Sequence, residues 1–419
     1  MRTDIKHRLA RGTATLICIA LAAAPGATQQ TPQPIARYTM DVGTTSGMAA
    51  MAQGGRGGGL GAGLSMAFGG GGDRVAHELI LRLGSTRTPT GGAAKADHFM
   101  PTGAGLGPSV PLATPTSSPG RNTPTERETP QQFQRPKGRL LIYWGCGAKA
   151  GPGQPVVIDF AKVAAGQVPP GLFANTASVP ADWQITQGNS TTFGDWPNGK
   201  SNKNVTATSS LVGPHRIAGN YSPEINFALT QDFMPAITGR ASSIAGGATN
   251  LSWNSVANAT GYYAWVMGFN PGSDGESNDM VWWASSSTQM FGGALWDWLP
   301  PATVAKLIGQ KVVMPPSQTS CTVPAEVKQS GGQFMLGNLY AYGPQADFAF
   351  PARPANPRTA WKPEWTARVR YRSNTTWMIN GPMMGSEDEE AQDSRRPTPP
   401  KKCKGGLGGI LAGAAGIGC

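Results

Sequence analysis

One stretch of the sequence, Gly194 to Ser201, matches the phosphate-loop pattern G-x-x-x-x-G-K-[ST] at every position. Such a loop binds phosphate only when a buried strand leads into it and a helix follows, because N–H groups at the helix N-terminus hold the phosphate oxygens. Polar, turn-forming residues flank the pattern on both sides. We therefore interpret it as a polar hairpin or surface loop, and we expect neither a nucleotide nor any other cofactor.

Metal-binding and nucleophile patterns are present only in part. His77 and Glu78 begin like a zinc-protease helix motif, but residue 81 is Leu and the alternation around it indicates a strand. Gly63 to Ala67 forms half of a nucleophile elbow inside a Gly-rich run. The whole chain holds four histidines, so we expect no metal site and no His-based triad.

Acidic residues next to aromatic ones raise a third option, because glycoside hydrolysis needs two carboxylates that face each other across a cleft. The aromatic neighbours would supply flat faces for sugar rings. The simpler interpretation of each acid is a turn or surface residue near a core tryptophan, so the sequence favours a protein without enzymatic activity. The acids in question are Asp182, Asp195, Asp232, Asp297 and Glu364.

Closely spaced tryptophans are the candidates for ligand binding. Neighbouring side chains on a strand point to opposite faces, so we expect one of Trp282 and Trp283 to be exposed. An exposed tryptophan could be a platform for a carbohydrate or a contact for a partner protein. Trp296 with Asp297 offers a second site of this kind. The competing interpretation, which we favour, is that Trp253, Trp265 and one of the pair fill the core of a sandwich.

The start of the chain and its cysteines indicate export. Residues 1–27 read as a secretory signal peptide, with a positive start and an apolar run too short to span a bilayer. Removing them leaves Cys146, Cys321, Cys403 and Cys419, an even number with three possible pairings in an oxidising compartment. We predict disulfides between the first two and between the last two.

The elements that must position these residues are short strands. Residues 28–136 are rich in Gly and Pro and contain a few strands, such as Arg37 to Val42 and Val75 to Leu83. From residue 137 onward, apolar and β-branched runs alternate with Gly or Pro, which indicates buried strands. We interpret 137–238 as a β-sandwich domain.

A strand–turn–strand pattern marks the next segment. One strand ends at Trp253, Ala259 to Gly261 form the turn, and an alternating aromatic strand follows through Trp265. This stretch resembles the second and third strands of a fibronectin type III-like sandwich, and the layout of the whole chain resembles exported proteins of Gram-negative bacteria. The resemblance implies a two-sheet module over 239–352 with both tryptophans inside it, and no activity. Pro301 to Ile308 departs from the family, because its apolar spacing predicts a helix.

One more strand and a tail complete the chain. Residues 353–385 hold a strand in which apolar residues alternate with Arg368, Arg370 and Arg372. We interpret it as returning to the 137–238 domain with the arginines on a solvated face, and a polyanion-binding face is the alternative. Residues 386–419 are a charged, then Gly-rich tail whose lysines precede an apolar end, so contact of the tail with an anionic membrane stays open.

Composition and charge bound the class of protein. The 419 residues include 57 Gly and 36 Pro, and charged residues make up 14%, against about 25% in typical soluble domains. Much of the chain must therefore be loop or turn. A formal net charge of +11 could bring an exported protein to anionic polysaccharide, although it serves solubility as well, and we do not expect a nucleic-acid partner.

Together these patterns predict an all-β protein: a β-sandwich domain, an adjacent or inserted fibronectin type III-like sandwich, and disordered Gly/Pro-rich flanks. The predicted role is that of an exported, non-enzymatic envelope or secreted protein with a binding or structural function. Its partner would be an envelope protein or a glycan, and its location the periplasm, the outer-membrane surface or the cell exterior. A carbohydrate-binding or glycan-hydrolysing protein that uses Trp and Asp residues is the alternative.

Overall fold

The structure is a computed structural model that describes residues 33–50, 75–115, 138–167, 184–198, 201–271, 278–290, 293–332, 334–356 and 359–380. The predicted signal peptide lies outside the described residues. So do the tail over 386–419, with the predicted Cys403–Cys419 pair, and Asp182.

The described chain is built mainly of β-strands, so the all-β prediction is confirmed. The helices that the structure describes in full are short: α1 (Phe160–Ala164), α2 (Pro301–Gly309) and α3 (Ala325–Ser330). The helix predicted at Pro301 is confirmed, and Pro301 occupies its first turn, where a missing N–H removes no hydrogen bond. The strands are β1 (Ala36–Gly47), β2 (Val75–Ser85), β3 (Ala96–Phe99), β4 (Ser109–Pro111), β5 (Arg139–Trp144), β6 (Val156–Asp159), β7 (Thr192–Trp196), β8 (Gly213–Gly219), β9 (Ile225–Leu229), β10 (Gly239–Ser243), β11 (Thr249–Trp253), β12 (Gly261–Pro271), β13 (Asn278–Ala284), β14 (Ser320–Val323), β15 (Phe334–Phe350) and β16 (Trp365–Asn380).

These strands form three sheets. The largest has nine strands in the order β6-β5-β13-β12-β15-β16-β1-β2-β7. A four-stranded sheet runs β4-β3-β8-β9, and a three-stranded sheet runs β10-β11-β14. Most neighbours are antiparallel, whereas β1 pairs with β16 and β5 with β13 in parallel. The long strands β15, β16 and β1 stand next to one another, so segments far apart in sequence are fixed side by side.

The large sheet joins segments that the sequence assigns to different domains. Strands β12, β13 and β15, from the predicted fibronectin-like segment, pair with β5 on one side and with β16 on the other. Strand β11, from the same segment, belongs to the three-stranded sheet instead. Strand β16 pairs with β15 and β1 rather than with a strand of 137–238. The boundary expected near residue 238 therefore does not separate two sheets.

Both faces of the large sheet are covered, which the alternation of the strands does not reveal. On one face, the core unites side chains of all three sheets, among them Trp253 and Trp283. On the other face, a second core holds Trp265 and Trp282 beneath the segment 293–313, which contains α2. Trp253 and Trp265 are both buried, as the sequence predicts.

Two expectations about exposure are wrong for this reason. Trp282 and Trp283 do point to opposite faces, but they are only 2% and 0% exposed, because each face has its own cover. The arginines of β16 do alternate with apolar residues, yet Arg368, Arg370 and Arg372 keep only 9%, 13% and 10% of their side chains exposed. The predicted solvated face is therefore an interior face.

One disulfide links distant parts of the described chain. Cys146, which follows β5, bonds to Cys321 in β14, with a Cα–Cα distance of 5.1 Å and a sequence separation of 175. The predicted pairing of these two cysteines is confirmed. The bond ties the edge region of the large sheet to the three-stranded sheet.

Candidate functional site

The structure gathers three of the four predicted binding residues on the helix-covered face. Trp282 stacks on Trp265 with 5.0 Å between ring centroids, and Trp296 lies 5.4 Å from Trp265. Trp296 is 39% exposed, whereas Trp282 donates its Nε1–H to the Met290 carbonyl in the interior. Trp283 lies on the opposite face and donates to the carbonyl of Gly145. Of the three predicted binding tryptophans, only Trp296 keeps a surface that a ligand could reach.

Asp297, with 35% of its side chain exposed, lies at the margin of an ionic cluster that is otherwise largely buried. Arg370 lies 3.9 Å from Asp297 and binds Asp41 with two donors, Nε at 2.7 Å and Nη2 at 2.9 Å. Arg372 donates to the carbonyl of Trp296 and lies 3.4 Å from Glu78. These arginines attach the 293–313 segment to the sheet, so their role is structural.

Electrostatics in this cluster follow from burial. Burial raises the pKa of Glu78, and the positive charge of Arg372 works against that shift. Burial alone would lower the pKa of Arg370, but the charge of Asp41 and the hydrogen bonds to it outweigh that effect, and the pKa lies above its ordinary value. Arg370 therefore remains charged in the interior.

The other sequence motifs have mixed outcomes. Residues 194–196 of the phosphate-loop pattern lie on β7, a mostly buried strand and not the predicted surface loop, but no helix follows at 201–206. His77 and Glu78 lie on strand β2, which confirms the strand prediction. Asp232 and Asp297 each accept a hydrogen bond from the backbone N–H of the next residue.

A site that the sequence analysis missed lies at the opposite end of the central strands. Here the chain entering β1, the end of β15, the 351–364 connection and the start of β16 surround a cleft of about 770 Å³. Its walls carry Arg37, Arg353, Arg368, Trp361 and Trp365, which together we call the Arg–Trp cleft. The size is that of a typical ligand site.

The charges and rings of the Arg–Trp cleft are arranged in a specific way. The Arg353 guanidinium lies 5.3 Å from the Trp361 ring centroid, and the Trp361 Nε1–H donates to the Pro351 carbonyl at 3.0 Å. Asp347 accepts from Arg368 Nε at 2.9 Å. At the rim, Phe350 is 55% exposed and stacks near Trp365, at 6.4 Å.

The balance of charge in this cleft is positive. Asp347 is the one carboxylate among its described lining residues, and it is already engaged by Arg368 and by Gln345 Nε2 at 2.6 Å. Arg37 donates to Asn189, and burial lowers the pKa of its guanidinium. A partly desolvated arginine gains more from an anionic partner than one in open water. The described lining does not offer the two facing carboxylates of glycoside hydrolysis.

A buried histidine pair lies behind the cleft and was also missed. The Nε2–H of His215 donates to the Leu211 carbonyl at 2.7 Å, which leaves Nδ1 to accept from His98 Nε2–H at 3.0 Å. His98 Nδ1 in turn accepts from the Tyr38 hydroxyl at 2.7 Å. Burial lowers the pKa of both rings, and for His98 the neighbouring His215 adds to the effect. The chain of bonds therefore holds two neutral imidazoles.

The sequence carried little signal for either feature. The arginines and tryptophans of the cleft are spread over 37–368 and meet only through the pairing of β15, β16 and β1. Trp361 and Arg353 stand in a Pro-rich connection that reads as a plain loop. The one available signal is the alternation of arginines with apolar residues in β16, and that pattern predicts a solvent-exposed face of the strand.

Comparisons with protein-family models, with curated proteins and with solved structures found no match for this chain. Among the described residues, no helix has the length and apolar character needed to cross a membrane. In the same part of the chain, no three metal-binding side chains come together. The geometry of the Arg–Trp cleft is therefore the observation from which a function can be argued.

Proposed function

We propose that the protein is an exported, non-enzymatic binding protein that holds an anionic partner, in the first place another envelope protein, in the Arg–Trp cleft. The observation that carries this proposal is the convergence of three arginines and two tryptophan rings on one cleft of about 770 Å³ with a single carboxylate among its described walls. Arginine binds carboxylate with paired hydrogen bonds, and an adjacent ring supplies apolar contact area.

Export is supported by the cysteine chemistry. The Cys146–Cys321 bond closes a long loop, and bonds of this kind persist in oxidising compartments. The positive start and short apolar run of residues 1–27 point the same way. A periplasmic or extracellular place would put the cleft in contact with envelope components.

A glycan is the second candidate partner, and the position of Trp361 favours it. The ring lines an open cleft beside Arg353, where a sugar bearing a carboxylate could stack on the ring and bind the guanidinium. Trp361 takes the place of Trp282 and Trp283 as the candidate carbohydrate platform, since both of those rings are buried.

The test uses two soluble polyanions of different chemistry. Titration calorimetry of residues 28–419 with poly-glutamate and with polygalacturonate should show binding of at least one, and dextran should not bind. Arg37→Gln combined with Arg353→Gln should weaken the affinity at least about tenfold, a loss of about 1.4 kcal/mol.

The matched control is Arg240→Gln, which removes an exposed arginine on β10 outside the cleft. It lowers the net charge of the protein as each cleft substitution does, so it should leave the affinity nearly unchanged. Binding that resists the two cleft substitutions, or no binding of either polyanion, would contradict the proposal. The polyanion that binds more tightly decides between the protein and glycan candidates.

A further inference from the structure

The Arg–Trp cleft is one end of a longer trough that follows the open edge of a strand. β12 pairs with β15 only as far as Tyr342, opposite Gly261. Pro344, which has no N–H, stands two residues further on, and the register of β15 against β16 shifts between Tyr342 and Gln345. From Gln345 to Phe350, β15 therefore pairs with β16 on one side and with no described strand on the other.

A second open edge forms the opposite wall. β9 is the terminal strand of the four-stranded sheet, and its one strand partner among the described residues is β8. A cavity of about 360 Å³ lies between residues 228–231 and residues 344–346. It shares Phe348 with the Arg–Trp cleft, and Asn226 of β9 lines the cleft itself. The two concave regions thus adjoin along the same pair of strands.

Strand edges of this kind recognise extended chains. In an antiparallel pair, alternate residues turn their N–H and C=O groups away from the partner strand, so half of the backbone groups of Gln345–Phe350 face the trough. The six residues span about 20 Å at about 3.3 Å each. A peptide added along such an edge gains backbone hydrogen bonds, and its alternate side chains enter the pockets beside it.

The charge of the trough selects the side chains of the occupant. Arg37, Arg353 and Arg368 line its wide end against a single described carboxylate, that of Asp347. Carboxylates on alternate residues of an extended peptide would lie on the side of the arginines, and small apolar residues would lie on the side of Phe348. We propose that the occupant of the cleft is an acidic, extended segment of a partner protein that adds as a strand to Gln345–Phe350 of β15. This inference rests on the proposed function and specifies the form of its partner.

The experiment compares peptides that differ only in their backbone. A capped hexapeptide of alternating glutamate and valine is titrated into residues 28–419, followed by two versions with N-methyl groups on alternate backbone nitrogens, one for each register. The N-methyl groups remove N–H donors and leave the charges in place. We expect the unmodified peptide to bind, one methylated register to lose at least about tenfold in affinity, and Arg353→Gln to weaken binding by a similar factor.

Hydrogen exchange supplies a structural readout that does not depend on affinity. On binding of the unmodified peptide, amides within Gln345–Phe350 should exchange more slowly. The matched control is β6, Val156–Asp159, which forms one edge of the same sheet, away from the arginines of the Arg–Trp cleft. Its exchange should not change.

Each other outcome overturns a defined part of the reasoning. Equal binding of the unmodified peptide and of both methylated registers refutes strand addition and leaves an anion-binding cleft. Binding of oligogalacturonate but not of the peptide, with loss in Arg353→Gln, also refutes the peptide and assigns the cleft to a glycan. If neither probe binds, this inference and the proposed function fall together.

Discussion

Replacing Asp41 should destabilise the protein more than almost any other single polar substitution. Asp41 is 0% exposed in the middle of β1 and receives Arg370 Nε at 2.7 Å, Arg370 Nη2 at 2.9 Å and Arg82 Nη1 at 2.9 Å. Arg370 also donates to the Trp298 carbonyl at 2.7 Å. Asp41 and its two arginines therefore join β1, β2, β16 and the segment 293–313, which covers the sheet.

The magnitude follows from what each substitution leaves behind. Asp41→Asn keeps the shape but leaves the Arg370 guanidinium, 13% exposed, with the more distant Asp297 carboxylate at 3.9 Å as its countercharge. Breaking a buried pair in this way costs about 3–5 kcal/mol, because a charge in the interior loses its close partner. Arg370→Met should cost a similar amount, since it strands Asp41 with Arg82 alone. The double variant removes both charges, so its loss should be well below the sum of the two.

The assay is urea unfolding followed by tryptophan fluorescence, at low salt and again at 1 M NaCl. The matched control is Arg139→Gln, which breaks a more exposed pair with Asp279 (side chains 54% and 24% exposed). That change should cost about 1 kcal/mol or less and should shrink in salt, whereas the Asp41 effect should persist. A loss in Asp41→Asn no larger than the control, or strictly additive losses in the double variant, would refute the reasoning.

Three further predictions concern the interior of the protein. Both buried histidines have lowered pKa values, so on acidification the unfolded chain takes up protons before the folded protein does. The free energy of unfolding should therefore keep its full value above about pH 6.5. Below that pH it should fall by up to about 1.4 kcal/mol per pH unit for each ring. Urea midpoints between pH 7.5 and 5.5 measure the slope, and a slope unchanged in His98→Gln would contradict the assignment. Trp283→Ala should lower the free energy of unfolding by about 3–5 kcal/mol, since its ring is fully buried. Trp296→Ala should lower it clearly less, because the ring of Trp296 is 39% exposed. Equal losses of the two variants in chemical unfolding would count against a core on both faces of the sheet. Cys146→Ser should cost about 2–5 kcal/mol by opening the 175-residue loop to Cys321, and dithiothreitol should lower the wild-type melting temperature while leaving that of the variant unchanged.

The cleft shows how much of a binding site can escape sequence reasoning. Its residues come from the entry to β1, the end of β15, the connection that follows and the start of β16. No short window of sequence contains more than a part of it. Because long-range strand pairing creates the site, only a prediction of the pairing of β16 with both β15 and β1 could have located it.

The tryptophans illustrate the same limit in the core. The sequence correctly places Trp282 and Trp283 on opposite faces of a strand, because side chains alternate with a period of two. It cannot say whether a face is covered. The segment 293–313 and the two smaller sheets supply the covers, and both rings are buried as a result.

The sequence by itself determined the all-β class, the helix at Pro301, the burial of Trp253 and Trp265 and the pairing of Cys146 with Cys321. The first two follow from local signals, namely side-chain periodicity and proline geometry. The third follows from the resemblance to a fibronectin type III-like sandwich, and the fourth from the strand-like runs next to the two cysteines. Tertiary structure alone decided the single nine-stranded sheet, the interior position of the β16 arginines and the Arg–Trp cleft. Periodicity defines the two faces of a strand, whereas the neighbours that cover or flank those faces are chosen by contacts between residues hundreds of positions apart.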